Sequence, residues 1–383
     1  MHQTLFALRP IAILAGLCCL ASAPVTAAET YKTQTNTVLV EVLADGLDHP
    51  WAVEDLGDGG LLITERPGAM RIFRNGALST PLSGVPEVRS SGQGGLLDVA
   101  LAPDFAESRT IYLSYAKPDG RKAGTAIARA RLSEDESRLE DVRDIFRMNR
   151  FNGSSHHFGS RIAVAPDGKL FFTIGERGDA DRAQDFGDHA GSVLRINPDG
   201  TVPDNNSGQS NWLPEIWSIG HRNPQGADID QETGTLYTVE HGARGGDEIN
   251  RPEPGNNYGW PVISYGRHYT GFRIGIGKEA EGYEQPVHYW DPSIAPGGMQ
   301  VYRGKMFPEW DGDLLVAALK FKLLSRLDMD PDTGKVVGEE RLFKGAYGRL
   351  RDVKVATDGA LLLVSDEDNG KLLRVSKATA SPD

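Results

Sequence analysis

The sequence predicts an all-β protein, a six-bladed β-propeller built from four-stranded antiparallel blades. The main observation is a repeat: a turn containing Gly or Asp, a short apolar run of strand-forming residues, then a polar residue or glycine where the strand ends. It recurs at Asp58-Gly-Gly-Leu-Leu-Ile-Thr64, Ser108-Arg-Thr-Ile-Tyr-Leu-Ser114, Asp167-Gly-Lys-Leu-Phe-Phe-Thr173, Thr233-Gly-Thr-Leu-Tyr-Thr-Val239, Asp311-Gly-Asp-Leu-Leu-Val-Ala317 and Asp358-Gly-Ala-Leu-Leu-Leu-Val364. The second observation is what flanks it. Val99–Asp104, Ile162–Asp167 and Val353–Asp358 place a strand and turn before a copy, and Met70–Phe73, Val193–Ile196, Leu324–Leu327 and Leu372–Val375 place a strand after one. The third is that no long stretch has helical periodicity.

In chain order, Thr37–Leu43 is a strand suited to closing the ring against the last blade, whose own strands lie between Leu361 and Val375. The six units then follow at intervals of roughly fifty to seventy residues, long for a compact repeat, so long loops carry the function. A β-sandwich, or two smaller β domains, fits the same strands, but no flexible linker supports a split.

Arg9, the apolar run Ile11–Ala23 and the small residues Val25-Thr-Ala27 read as an export signal over residues 1–27, too short to span a bilayer. Residues 28–383 form a single propeller domain of about 355 residues, large enough for a sizeable core. Cys18 and Cys19 leave with the signal, so the exported chain has neither disulfide nor thiolate chemistry. The net charge of −12 argues against nucleic acid or an anionic membrane as partner and makes local basic clusters informative.

Two polar, glycine-rich loops lie one strand apart: Gly220-His-Arg-Asn-Pro-Gln-Gly226 and the segment from Tyr237 to Asn250. Together they gather Arg222, Asn223, Gln225, His241, Asp247 and Glu248, a set suited to a polyanion or a hard cation. His156 and His157 precede the strand at Ile162, where an imidazole serves as a general base or simply staples a loop. Lys320 in an apolar stretch, the alternating Arg349 and Arg351, and Arg222 form a carboxylate receptor if they converge on the axis, and surface ion pairs if they do not. The run Asp179, Asp181, Asp185 and Asp188 reads as solvated loop charge. Glu248 with Tyr258 is the better place for a structural ion. Trp290 suits either a sugar or a core.

Gln93-Gly-Gly-Leu-Leu, His157, Gly220-His-Arg-Asn-Pro-Gln-Gly226, Asp247-Glu-Ile-Asn250, Asn257-Tyr-Gly-Trp-Pro261, Leu319-Lys320 and Arg349-Leu-Arg-Asp352 together resemble the soluble quinoprotein glucose and aldose sugar dehydrogenases, from about Leu47 to Val375. The resemblance implies a periplasmic propeller, monomer or homodimer, binding pyrroloquinoline quinone (PQQ) and Ca²⁺. It places the quinone on Gln93, Arg222, Asn223, Lys320, Arg349 and Arg351. It makes His157 the base, helped by Arg222, and puts the catalytic calcium on carbonyls of Gly242 and Ala243, with a second at Glu248 and Tyr258. The substrate would be an aldose, meeting Gln93, His156 and Trp290, with an external electron acceptor.

His156, where the glucose branch has an acid, and His241 and Ala243, where it has Gln and Pro, imply a different or broader choice of sugar. A propeller lactonase and a non-catalytic binding propeller are the alternatives. The first needs acids or amides converging on a central ion. The second predicts that His157 has no activity to support.

Overall fold

The computed structural model describes residues 28–378; the export-signal reading of residues 1–27 lies outside them. Six antiparallel sheets stand around one axis, over residues 50–78, 96–147, 162–219, 224–290, 296–342 and 350–377. Their inner strands, Pro50–Asp55, Leu96–Leu101, Ile162–Val164, Pro224–Ile229, Pro296–Val301 and Leu350–Val355, touch one another in ring order. Helix is confined to Phe105–Ser108 and short 3₁₀ turns among the described residues.

All six copies of the sequence repeat turn out to be the second strand of a blade. Leu61–Glu65, Leu170–Ile174, Leu314–Ala318 and Leu361–Ser365 are buried along their whole length. Each is covered on both faces by neighbouring blades, which explains continuous apolar runs in place of alternation. The preceding Asp-Gly has a local cause. Asp58, Asp167 and Asp358 each accept the N–H two residues on at 3.1 Å, while Gly59, Gly168 and Gly359 take φ of 89°, 80° and 88°, a region that favours glycine.

Hydroxyls on the second strands of the first three blades tie each of these to the next. Thr64 donates to the Leu97 carbonyl at 2.6 Å, Ser114 to that of Ser160 at 2.5 Å and Thr173 to that of Pro224 at 2.8 Å. On the axis, Asp98, Asp228 and Asp352 each accept a main-chain N–H from the next inner strand, those of Ile162, Val301 and Val53. Arg161 bridges Asp98 and Asp352 at 2.7 and 3.1 Å. Burial pushes Asp98 up to about 7 and Asp228 up to about 6, each partly offset by a nearby cation.

Thr37–Leu47 closes the ring as expected, pairing antiparallel with Gly370–Lys377 through Val38↔Lys377 and Val40↔Val375, and Glu29–Lys32 adds a fifth strand outside it. Val40, fully buried, packs into the core shared with the fifth blade. Val40→Ala is expected to cost about 2 kcal/mol in urea unfolding, since the cavity sits where the chain ends must hold the ring shut. An unchanged midpoint would show that closure does not depend on this contact.

Candidate active site

One end of the ring carries every segment leading into an inner strand and every connection between second and third strands. All the residues singled out in the sequence, apart from Trp290, lie on this end or on the loop that returns to it. Gln93, His157, Arg222, Asn223 and Arg349 lie on lead-in segments and Arg351 near the start of an inner strand; Lys320, Gly242 and Ala243 lie on second-to-third connections.

His157 adopts φ 55°, a left-handed conformation that a non-glycine residue keeps only when its surroundings hold it there. Its N–H donates to Gln93 Oε1 at 2.8 Å, and its Nδ1 lies 2.7 Å from Glu176 Oε1. Gly175 makes this approach possible, because a Cβ there would stand 2.4 Å from the His157 carbonyl oxygen. Beneath the loop, the buried Arg177 guanidinium donates to the carbonyls of Ser154 and His156 and lies 3.5 Å from the Phe158 ring centroid. Burial pushes Arg177 down to about 9.

Burial holds the His157 imidazole below its ordinary value. The Glu176 hydrogen bond opposes this and the Arg222 charge adds to it. Burial would raise Glu176, but the hydrogen bond and charge of His157 outweigh it and keep the carboxyl low. The pair is therefore a neutral imidazole backed by a carboxylate, with Nδ1–H donated to Glu176 and the Nε2 lone pair left to accept a proton.

The two glycine-rich loops are held together by Glu240. It accepts the main-chain N–H groups of Arg222 and Asn223, faces His221 Nδ1 at 2.9 Å and receives Asn250 Nδ2 at 3.0 Å. Arg222 then reaches over the second loop and donates to the carbonyls of His241, at 3.0 Å, and Gly242. Asn223 Oδ1 accepts the Gly159 N–H, which ties this loop back to the segment of His157.

Gln93, Gln225, His241, Arg349 and Arg351 line a cavity of about 380 Å³ together with Leu319, the residue before Lys320. Arg349 and Arg351 thus face one space, as their alternation implied. Arg351 is buried and tied to Gln225 at 2.8 Å and to Asp366 at 2.7 Å; His49 also meets Asp366 at 2.7 Å. Burial would raise Asp366, but Arg351 holds it well below the carboxylate range. The Nε atoms of Arg351 and of Arg222, which lines the neighbouring small cavity, are buried and have no partner among the described residues. A site with surplus buried donors and several cations fits an acceptor-rich, anionic ligand.

Glu248 stands opposite Glu240 across the strand pair, and Asn250 bonds both carboxylates at 3.0 Å. Burial and the Glu240 charge push Glu248 up to about 8. Glu248 and Tyr258 line one small cavity of about 20 Å³ with Gly242, but the Tyr258 hydroxyl is committed to the 251–253 turn, bonding the Arg251 carbonyl at 2.5 Å and the Glu253 N–H at 3.0 Å. Among the described residues no three acidic, histidine or cysteine side chains form a metal cluster, so a cation here would draw mainly on main-chain carbonyls.

Two expectations are corrected. Trp290 is 3 % exposed, packs between the fourth and fifth blades and donates its Nε1–H to Glu339 at 3.0 Å, so it presents no face to a sugar. Asp188 is not solvated: it is fully buried and paired with Arg182 at 2.7 Å. Exposed His156 stands beside His157, with ring centroids 6.1 Å apart. Reading the sequence missed Glu176 and Asp366, the acids that fix His157 and Arg351.

A donor-rich cavity at the end of a six-bladed propeller, with a carboxylate-backed imidazole at the same end, defines a ligand-binding propeller equipped for proton abstraction. The chain belongs to the Glucose / Sorbosone dehydrogenase family, which it matches over residues 47–374. The aldose sugar dehydrogenase YliI of Escherichia coli is 44% identical over 383 residues, covering 98% of this chain and 99% of that protein. The apo-form crystal structure of the E. coli soluble aldose sugar dehydrogenase superposes with a TM-score of 0.85 at 45% identity, covering 89% of this chain and 100% of that one. A PQQ-bound aldose sugar dehydrogenase from Streptomyces coelicolor gives 0.74 at 29% identity, covering 88% and 98%. No helix among the described residues is long and apolar enough to cross a membrane.

Proposed function

We propose that this protein is a periplasmic quinoprotein aldose sugar dehydrogenase, monomer or homodimer, which oxidises the anomeric carbon of an aldose to the lactone and passes the electrons to an external acceptor. The observation that carries this reading is the His157–Glu176 pair set at the same end of the ring as the cation-lined cavity. When bound, PQQ supplies the hydride acceptor and calcium the Lewis acid. Gln93, Arg222, Asn223, Lys320, Arg349 and Arg351 would hold the quinone, and the carbonyls of Gly242 and Ala243 the ion, with a second ion at Glu248 and Tyr258. Arg222 already donates to the Gly242 carbonyl, so an ion held there would share that oxygen with the guanidinium.

His157 takes the proton of the anomeric hydroxyl on Nε2, and Glu176 steadies the imidazolium that results. Arg222 supplies positive charge where negative charge develops. Gln93 and His156 would meet the sugar hydroxyls. Adding PQQ and Ca²⁺ to the purified protein is expected to give sugar-dependent dye reduction with several aldoses. Neither quinone binding nor turnover would overturn the reading.

Since burial depresses the base, the acid limb of kcat/KM is expected below the ordinary histidine value of about 6.5, activity falling as the pH drops through it. Glu176→Gln removes the partner that raises His157. The limb should move further down while the plateau falls about tenfold or more. A limb that moves up, or an unchanged plateau, would contradict the pairing.

A further inference from the structure

Residues 265–278 carry Arg267, His268, Arg273 and Lys278 and no acid, in a chain of net charge −12. They project as a hairpin from the long loop of the fourth blade. Arg267 and Arg273 pair across it, and the His268 N–H bonds the Phe272 carbonyl at 2.8 Å. Tyr269 and Phe272 are each 75% exposed and Ile276 60%. At the base, Tyr265 stacks on exposed Tyr289 with ring centroids 4.0 Å apart, and Lys278 Nζ lies 5.3 and 5.8 Å from the two rings. The other exposed large apolar side chains among the described residues, Val142, Phe186 and Val337, belong to other blades. Single exposed apolar residues need no explanation, but aromatic groups gathered with arginines have the composition of an interface core.

The hairpin is also joined to the site. Arg244 and Arg267 exchange main-chain hydrogen bonds of 3.0 Å in both directions, two residues from the Gly242 carbonyl that Arg222 holds. Tyr265 and Lys278 share the walls of one cavity with Arg222.

We propose that this hairpin docks an acidic one-electron redox protein that carries electrons away from the site, an inference that rests on the dehydrogenase reading. Each aldose oxidised to lactone releases two electrons and two protons. The electrons reduce two acceptor molecules by one each, and the protons pass to solvent. A neutral sugar has no use for the charge of Arg267 and Arg273. An acidic partner does, because the chain is net negative overall and these cations, set beside exposed aromatic rings on a hairpin joined to the site, draw the partner to that end. Phe272 and Tyr269 supply a small apolar anchor, enough for a brief encounter that must end in release.

The test compares sugar oxidation by the quinone- and calcium-loaded protein with three acceptors: a small dye, acidic plant plastocyanin and basic mitochondrial cytochrome c. The wild type should favour plastocyanin, with kcat/KM falling about tenfold or more between about 20 and 200 mM salt. R267E/R273E should lower that rate about tenfold or more at low salt and turn the preference toward cytochrome c. Phe272→Ser should lower it at all salt concentrations, and dye turnover should stay within about twofold in each variant. Equal plastocyanin rates in wild type and R267E/R273E, or a wild-type preference for cytochrome c, would overturn the proposal. So would a loss explained by dissociation of a dimer in sedimentation, or by lost binding to phosphatidylglycerol vesicles with plastocyanin reduction intact. Absence of wild-type dye turnover would instead remove the dehydrogenase reading, and the docking proposal with it.

Discussion

His157→Asn is expected to lower kcat for aldose oxidation by about 10²- to 10⁴-fold while leaving quinone affinity within about threefold. Asparagine is chosen over alanine because residue 157 has φ 55°, a conformation that asparagine tolerates and alanine resists. The main-chain N–H to Gln93 and a donor toward Glu176 are both retained in that variant, so the loop should keep its shape. What is lost is the Nε2 lone pair, the only part of the residue that takes the proton. Quinone absorbance titration and dye-linked turnover, measured on the same protein, separate the two roles. More than about a tenth of the wild-type kcat would rule out His157 as the base, whereas a parallel loss of quinone binding would make it a clamp residue instead.

The same residue shows what the sequence could reveal and what it could not. The repeat located all six second strands, because strands covered on both faces must be apolar throughout. Thr37–Leu43 was legible as a closing strand because it is a run of strand-forming residues ahead of the first blade, whereas its hairpin with Glu29–Lys32 was not. Convergence of Arg222, Lys320, Arg349 and Arg351 was legible only as one of two alternatives, the other being surface ion pairs. Partners across loops were not legible. Yet the signal for Glu176 and Asp366 lay in the repeat: Glu65, Glu176, Glu240 and Asp366 each stand at or just past the end of a second strand. From there Glu65, Glu176 and Glu240 meet their own blade's lead-in segment, at the Asp48 N–H, His157 and His221, while Asp366 of the sixth blade meets His49 on the lead-in of the first. Extending the copies by one to three residues would have turned a strand terminator into a device that recurs in four of the six for fixing lead-in segments. Trp290 and Asp188 went unread for the opposite reason: whether an aromatic or an aspartate is buried depends on which blade packs beside it, and that is a long-range property.

Glu240 is the member of this series on which most depends, and Glu240→Ala is expected to destabilise the fold by about 3–5 kcal/mol in urea unfolding. The side chain is buried and gathers the N–H groups of Arg222 and Asn223, the imidazole of His221 and the amide of Asn250. Alanine leaves these donors in a place water does not reach. His221 is fully buried, so its Nδ1 has no solvent to turn to. Glu240→Gln should cost less, because one oxygen is kept, but its amide group sets N–H against N–H on one side of the cluster. The substitution also removes the charge that pushes Glu248 up, so the Glu248 carboxyl should titrate lower in the glutamine variant, observable by carboxyl NMR. Activity separates this structural role from a chemical one. Glu240→Gln that folds should still abstract protons through His157 but bind quinone more weakly, because Arg222 and Asn223 lose the anchor that aims them. If both variants unfold at the wild-type urea concentration, Glu240 does not hold the two glycine-rich loops together, and their register must come from the strand pairing Pro224↔Glu240 and Glu240↔Glu248 alone.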